Sequence, residues 1–371
     1  MNQELCRWGF IGTAAIGRKN WTSVLHSGNG IISGVASRDL QKSQAYIDSC
    51  QSEFPFADAP KAFGSYEQLI QSDQVDAVYI PLPTGMRKRW VIQAAKAGKH
   101  VLCEKPCAIN AEDLEEMLNV CKENNVQFMD GVMYTHSARL DKILAATKDQ
   151  IRFGKLRRIN GQFSFAAPDD FFTGNIRSDS TLEPHGCLGD LGWYLIRMAL
   201  LAVGGQMPSW VSAHTIRQQS CANGPAVPIE FRFDLGFPMA NQPDLVASFY
   251  CSFVTHHQQW IHFSGTQGVV RVQDFVLPYE GNTLPFFSEV SDFQTNGCTF
   301  IMKHDSQTIA TTEPANSMPG SQESLMFRRF NSLVTSGKID DSWPMIALAT
   351  QRVMDACLRS AQTDGAPVRW A

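Results

Sequence analysis

The sequence has no CxxC pair, no excess of positive charge, no apolar run of membrane length, and no repeat or low-complexity tract. Each absence closes a class of function. Ten scattered cysteines without paired spacing argue against a zinc ribbon or a redox dithiol, and no metal site is expected. Several of them lie inside apolar runs, where Cys behaves as a small hydrophobe. A net charge of −4 provides no electrostatic footprint for nucleic acid or an anionic membrane. No stretch approaches the ~20 apolar residues of a membrane span. The opening residues lack the basic-then-apolar layout of a signal peptide, so a reduced, cytoplasmic protein is expected. What remains is 371 residues with 44% apolar and 18% charged content, enough for two ordinary globular domains.

The first third alternates between short apolar strands and helical segments, the pattern of a doubly wound parallel sheet. Trp8-Gly9-Phe10-Ile11-Gly12 runs into Thr13-Ala14-Ala15-Ile16-Gly17, a relaxed G-x-A-x-x-G fingerprint. Gly12 makes the tight turn, Ala14 stands where backbone approaches a pyrophosphate, and Gly17 allows close helix packing. The helix that follows offers free N–H groups and a positive dipole end to phosphates. The second strand, 31–36, ends in Ser37 and Arg38, with Lys42 one helical turn on. A cofactor with a free ribose 2′-hydroxyl usually meets an acid there. A hydroxyl and a guanidinium suit a 2′-phosphate instead, so NADP is expected over NAD. Asp39 is placed to cap the next helix.

The fourth strand, 75–80, is closed by Pro81-Leu82-Pro83, a loop expected beside the nicotinamide and ribose. A helix over 86–97 leads to the apolar run 100–103 and then Glu104-Lys105-Pro106. At the carboxyl end of a parallel strand this lysine points toward the crevice where ligands gather. A helix over 111–124, capped by Asn110, and a strand over 126–130 complete the pattern. The sheet domain is therefore drawn as 1–131, with 132–371 as a substrate and oligomerisation domain.

In the second part strand-like segments dominate, at 156–166, 210–218, 229–235, 245–254, 258–264 and 268–272. They indicate an α+β domain with a large open, mostly antiparallel sheet. A face of that kind suits pairing between subunits, hence an expected homodimer or homotetramer. An amphipathic helix over 343–362 closes the chain and could pack back on the first domain. The adjacent pair His256-His257 has no metal-ligand spacing. A helix expected over 187–202 carries Asp190 and Tyr194 four residues apart, which in a regular helix is one face. An acid and a phenol together can orient and protonate a substrate hydroxyl, and a lysine can complete such a relay by lowering a phenol's pKa. The bland alternative makes Asp190 a cap and Tyr194 packing.

The Gly12–Gly17 turn, Glu104-Lys105-Pro106 and the G-x-x-x-D-x-G-x-Y pattern over 186–194 together resemble the glucose–fructose oxidoreductase / inositol dehydrogenase / rhizopine-catabolism (Gfo/Idh/MocA) family. The likeness covers nearly the whole chain. Within the family the chain is similar to NADP-linked dihydrodiol and aldose dehydrogenases. The resemblance implies a Rossmann domain, a second α/β domain with an open sheet, and hydride transfer between nicotinamide and a hydroxyl-bearing carbon of a sugar, cyclitol or vicinal diol. It makes Lys105 the group on the substrate hydroxyl, Tyr194 the general acid/base where other members carry His, and Asp190 an orienting residue. Glu104 and Pro106 hold the strand end and cofactor. Tyr134, His136, Phe165, Arg177, His185 and Trp193 are candidate substrate-lining residues; Arg177 could bind a substrate carboxylate or a surface acid, and His185 falls where many members have glycine.

Two other readings stay open. One is a non-catalytic NAD(P)-binding sensor of the same fold, against which the retention of Lys105, Asp190 and Tyr194 counts. The other is an oxidoreductase that holds its cofactor through each turnover.

Overall fold

Short strands of apolar residues alternate with helices over the first 130 positions, and the helices separate strands that must then pair in parallel. The computed structural model describes residues 4–221, 224–239 and 242–370; residues 1–3, part of the opening stretch without a signal-peptide layout, lie outside them. In chain order the elements are β1 (Cys6–Ile11), α1 (Ala15–Ser27), β2 (Gly30–Ala36), α2 (Leu40–Glu53), β3 (Lys61–Phe63), α3 (Tyr66–Ile70), β4 (Ala77–Ile80), α4 (Thr84–Lys96), β5 (His100–Cys103), α5 (Ala111–Glu123) and β6 (Phe128–Asp130). Then come α6 (Ala138–Ala146), β7 (Leu156–Ala166), α7 (Phe171–Gly174), α8 (Trp193–Ala202), β8 (Trp210–Gln219), β9 (Val227–Met239), β10 (Gln242–Ser252), β11 (Val254–Gly265), β12 (Val269–Val272), β13 (Thr283–Asn296) and β14 (Thr299–Thr312). Helices α9 (Gln322–Ser336) and α10 (Ser342–Gln362) and the short β15 (Val368–Arg369) end the chain. Among the described residues no helix is long and apolar enough to cross a membrane.

The chain divides into two compact units. One comprises residues up to His136, Thr181–Pro184 and Asn316–Gln351; the other comprises Ser137–Ser180, His185–Ala315 and the residues from Arg352. Helix α10 contributes to both.

In the first unit six strands lie in the order β3-β2-β1-β4-β5-β6, all parallel. This is the doubly wound sheet that the alternation implied. The expected caps are in place: the Asp39 carboxylate accepts from the N–H groups of Gln41 and Lys42, and Asn110 accepts from that of Asp113. Helix α4 starts at Thr84, two residues earlier than its apolar pattern suggested, and β3 is too short to show a period at all. Helix α9 was not expected, and it covers β1: Trp8 Nε1 donates to Asn331 Oδ1 at 2.8 Å, and the Trp8 ring meets Phe327 and Phe330 at 5.1 and 5.0 Å.

In the second unit nine strands lie in the order β14-β13-β12-β11-β7-β10-β9-β8-β15. Every pairing is antiparallel except β10 with β7. The long β13–β14 hairpin, paired from Thr283↔Thr312 to Asn296↔Thr299, escaped the sequence reading. Its outer part is exposed at nearly every position, the apolar Phe293, Phe300, Ile301 and Met302 included, so no two-residue period marks a buried face there. Strand β7 buries Ile159, Gly161 and Phe163 and turns Arg158, Asn160 and Gln162 outward. Gly161 is needed for the helix above it, because a Cβ there would lie 2.9 Å from Leu195 of α8.

Candidate active site

The turn after β1 carries little side-chain bulk. Gly12 has φ +103°, a conformation that side chains resist, and its N–H donates to Ala36 O at 2.8 Å. Ala14 is the N-cap of α1 and has no side-chain hydrogen bond across the helix start. Ala15 and Ile16 are exposed there, in the first turn of α1, where backbone N–H groups have no partner within the helix. At Gly17 an added Cβ would stand 2.7 Å from the Tyr46 hydroxyl, so glycine sets how closely α1 approaches α2. A glycine turn and a helix start without a side-chain cap suit a dinucleotide phosphate chemically.

Beyond the end of β2, Arg38 lines a cavity of about 840 Å³ with Tyr66, Thr84, Gly85, Arg89 and Trp90. Tyr66 and Trp90 meet edge to face at 4.8 Å. Burial raises the Tyr66 phenol's pKa, and the Arg38 charge partly opposes that rise. Arg38 and Lys42 are exposed. Ser37 is buried, and its hydroxyl donates to Asp39 O at 2.6 Å, so its proton is used inside the turn.

Strand ends β4 and β5 form the polar heart of this unit. Tyr79 donates its hydroxyl to Glu104 Oε1 at 2.6 Å and accepts from Asn20 Nδ2 at 2.6 Å. Burial and the neighbouring Glu104 charge push the Tyr79 phenol's pKa well above its ordinary value, so it stays a donor. Gly131 makes room for the acid: a Cβ there would lie 3.1 Å from the Glu104 carboxyl. The Lys105 N–H donates to Glu104 Oε2 at 3.3 Å, and the Lys105–Pro106 peptide is cis. Pro81 and Leu82 are buried and Pro83 is half-buried, the N-cap residue of α4. Sequence reasoning missed Arg87, which is 4% exposed and lies behind this loop.

Tyr134 and His136, proposed from the sequence as lining residues, are buried in this unit, and His136 stacks on Trp343 at 4.7 Å.

In the second unit the helix expected over 187–202 has two parts. Residues Leu188–Gly192 form a π-turn, and α8 begins only at Trp193. Glycines at 189 and 192 relax the backbone there, and a Cβ on Gly192 would meet Leu188 at 2.7 Å. The one-face argument for Asp190 and Tyr194 assumed a regular helix and does not carry across a π-turn. Asp190 Oδ2 pairs with Arg177 Nε at 2.8 Å, so the structure joins these two candidates. Tyr194 is 7% exposed, with its ring 5.8 Å from Phe163. Trp193 is fully buried under Arg197, His185 is buried, and Phe165 packs on Phe171 and Phe253.

A parallel sheet with a glycine turn at its first strand and a glutamate–lysine–proline loop at its fifth position in the sheet defines a dinucleotide-binding oxidoreductase fold. Comparison with known proteins agrees. Residues 6–132 match the oxidoreductase family model with an NAD-binding Rossmann fold, and residues 144–271 match the Gfo/Idh/MocA C-terminal domain. The chain belongs to the Gfo/Idh/MocA family of oxidoreductases. It is similar to a D-xylose 1-dehydrogenase (NADP(+)) of Haloferax volcanii, 33% identical over 58% of this chain and 62% of that one, so the match spans less than two thirds of that relative. A trans-1,2-dihydrobenzene-1,2-diol dehydrogenase of Sus scrofa is 28% identical over 72% of this chain and 74% of its own. In fold the chain is similar to the 3-ketoreductase KijD10 of Actinomadura kijaniata, solved with NADP and TDP-benzene, with a TM-score of 0.79 and 22% identity over 96% and 98% of the two chains.

Proposed function

We propose that this protein is an NADP-dependent oxidoreductase acting on a hydroxyl-bearing carbon of a sugar, cyclitol or vicinal diol. The observation that carries the reading is the strand-end arrangement of the first unit. There an open helix N-terminus, Arg38 at the end of β2 and a rigidly held Glu104-Lys105 loop occur on one parallel sheet. The named activities of the Haloferax and porcine relatives point to the same substrate class.

When bound, the nicotinamide would accept or supply the hydride. In this reading residues 1–131 hold the cofactor. Arg38 takes the 2′-phosphate, with Lys42 adding charge, while the backbone from Thr13 to Ile16, brought close by Gly17, holds the pyrophosphate and Pro81, Leu82 and Pro83 flank the ribose. Lys105 donates to the substrate hydroxyl oxygen. Tyr194 takes that hydroxyl's proton during oxidation and returns it during reduction. Asp190, held by Arg177, orients the reacting group. Residues 132–371 carry the substrate contacts, with Tyr134, His136, Phe165, Arg177, His185 and Trp193 as the candidates, and the open sheet of that region pairs subunits.

The test is nicotinamide reduction by purified protein with NADP and NAD in parallel, against aldoses, inositols and vicinal diols. Turnover with NADP is expected, lost in Lys105→Met and lowered ~10²-fold or more in Tyr194→Phe with unchanged NADP affinity. Cofactor binding with no turnover on any of these would favour the non-catalytic sensor, which this fold could equally build.

A further inference from the structure

Arg87 stands in the first turn of α4, with its side chain 5% exposed. Its guanidinium is spent almost wholly on backbone carbonyls. Nε donates to Leu82 O at 2.6 Å, and Nη1 donates to Glu104 O at 2.8 Å and also to Pro106 O. Thus one nitrogen holds the carbonyl before Lys105 and the carbonyl after it. The third acceptor belongs to the loop that closes β4. All three lie at the carboxyl ends of neighbouring parallel strands, where ligands of such sheets bind.

The charge has a partner. Arg87 Nη2 is 3.9 Å from Glu183 Oε1. Glu183 also accepts from Thr84 N at 3.0 Å and from Thr84 Oγ1 at 2.6 Å, and so supplies the cap that Pro83 cannot give α4. Its segment is seated tightly: Gly85 N donates to Leu182 O at 3.0 Å, and a Cβ on Gly85 would fall 2.3 Å from Thr181 O. A guanidinium is planar, stays charged at every working pH, and directs several N–H groups at once. A lysine ammonium at this position is a point donor on a flexible stem and cannot span three carbonyls with that geometry.

We infer that Arg87, balanced by Glu183, is a positioning residue that sets Lys105 for reaction by clamping the backbone on both sides of it. This rests on the reading of Lys105 as the group that meets the substrate hydroxyl. Nothing in the residue spacing announces Arg87, since its carbonyl acceptors are 5, 17 and 19 residues away and its counter-ion, Glu183, comes from a distant segment of the chain.

The experiment compares full-length wild type with Arg87→Lys, Arg87→Met and Glu183→Gln, each with NADP present. Hydrogen–deuterium exchange is followed in peptides covering residues 103–108, together with the rate at which the Lys105 amine is acylated by an N-hydroxysuccinimide ester, read by mass spectrometry. In Arg87→Lys, exchange in that loop should rise ~10-fold or more while the other strands of the sheet keep their protection. Lys105 acylation should change with it. On whichever substrate wild type turns over, kcat should fall ~10²-fold in Arg87→Lys with the KM for NADP within about twofold. The deuterium isotope effect on kcat should rise as the chemical step becomes slower. Glu183→Gln should move the same readouts less far. Unchanged loop exchange and unchanged kcat in both Arg87 variants would overturn the inference. So would a loss of kcat matched by an equal loss of NADP affinity and protection across the whole sheet, because that is a folding defect. A wild type inactive on all substrates refutes the assigned reaction instead, and the exchange and acylation readouts then decide the clamp alone.

Discussion

Strand β4 in the first unit is buried at all four of its residues, whereas β7 in the second alternates, with Ile159, Gly161 and Phe163 inside and Arg158, Asn160 and Gln162 outside. The difference follows from how the strands are covered. Parallel strands need crossover helices, and these take both faces of the sheet. The larger sheet is joined mostly by antiparallel turns, and α8 packs against one face through Leu195 over Gly161. Cross-strand neighbours on its other face are polar or amphipathic: Gln162 opposite Trp260 and Tyr250, Asn160 opposite His262 and Ser248. Polar groups in the first unit therefore sit at strand ends, where backbone carbonyls and Tyr79 hold them. In the second they spread along strands or are buried as pairs.

The largest expected effect falls on such a pair. Arg139 Nη1 lies 2.6 Å from Asp274 Oδ1, Nη2 donates to Asp274 O at 2.8 Å, and the side chains are 2% and 6% exposed. Arg139→Met leaves the Asp274 charge buried and unpaired and should cost about 3–5 kcal/mol, measured by urea denaturation. A loss below about 1 kcal/mol would mean that water reaches this carboxylate, as on the polar face.

A matched pair of substitutions probes the covering itself. A Cβ on Gly9 of β1 would lie 2.5 Å from Leu69 Cδ2, so Gly9→Ala should destabilise by about 1–3 kcal/mol through overpacking. Arg158→Ala on the outward face of β7 should stay within about 0.5 kcal/mol in the isolated chain. If stability of the Arg158 variant instead depends on protein concentration, the outward face is covered by a second copy, as the expected oligomer requires.

The smallest effect is a pH dependence. His100 Nδ1 accepts from Gln127 N at 2.9 Å where β5 meets β6, and burial lowers the His100 pKa from 6.5. The unfolded chain then binds this proton more readily than the folded one. Its contribution to stability is present above the unfolded value and lost as pH falls from there toward the folded value. Thermal midpoints should therefore drop between about pH 7 and 5, less steeply in His100→Gln.

Much of the first unit was readable because its signals are local. Gly12 and Gly17, the caps Asp39 and Asn110, and the apolar runs before Ser37, Pro81 and Glu104 each act within a few residues. The outer part of the β13–β14 hairpin lacks a buried face to show periodicity, and the π-turn at 188–192 looks like a helix in any pattern of apolar spacing. At the candidate site the residue types were visible but their partners were not. Arg177 could equally have met a ligand, yet it binds Asp190; Ser37 could have faced a phosphate, yet its proton is spent on Asp39 O.

The sequence by itself determined the alternation of strand and helix, the glycine turn, the lysine at a strand end and the family to which these belong, because each depends on short-range sterics and periodicity. Only the tertiary structure decided which distant segments complete each unit: α9 over β1 through a Trp8–Asn331 bond spanning 323 positions, and Glu183 at the start of α4 from 99 residues away. It also decided that Arg87 clamps the carbonyls beside Lys105. A buried charge or donor must find a partner wherever the fold supplies one, and that requirement sets no spacing along the chain.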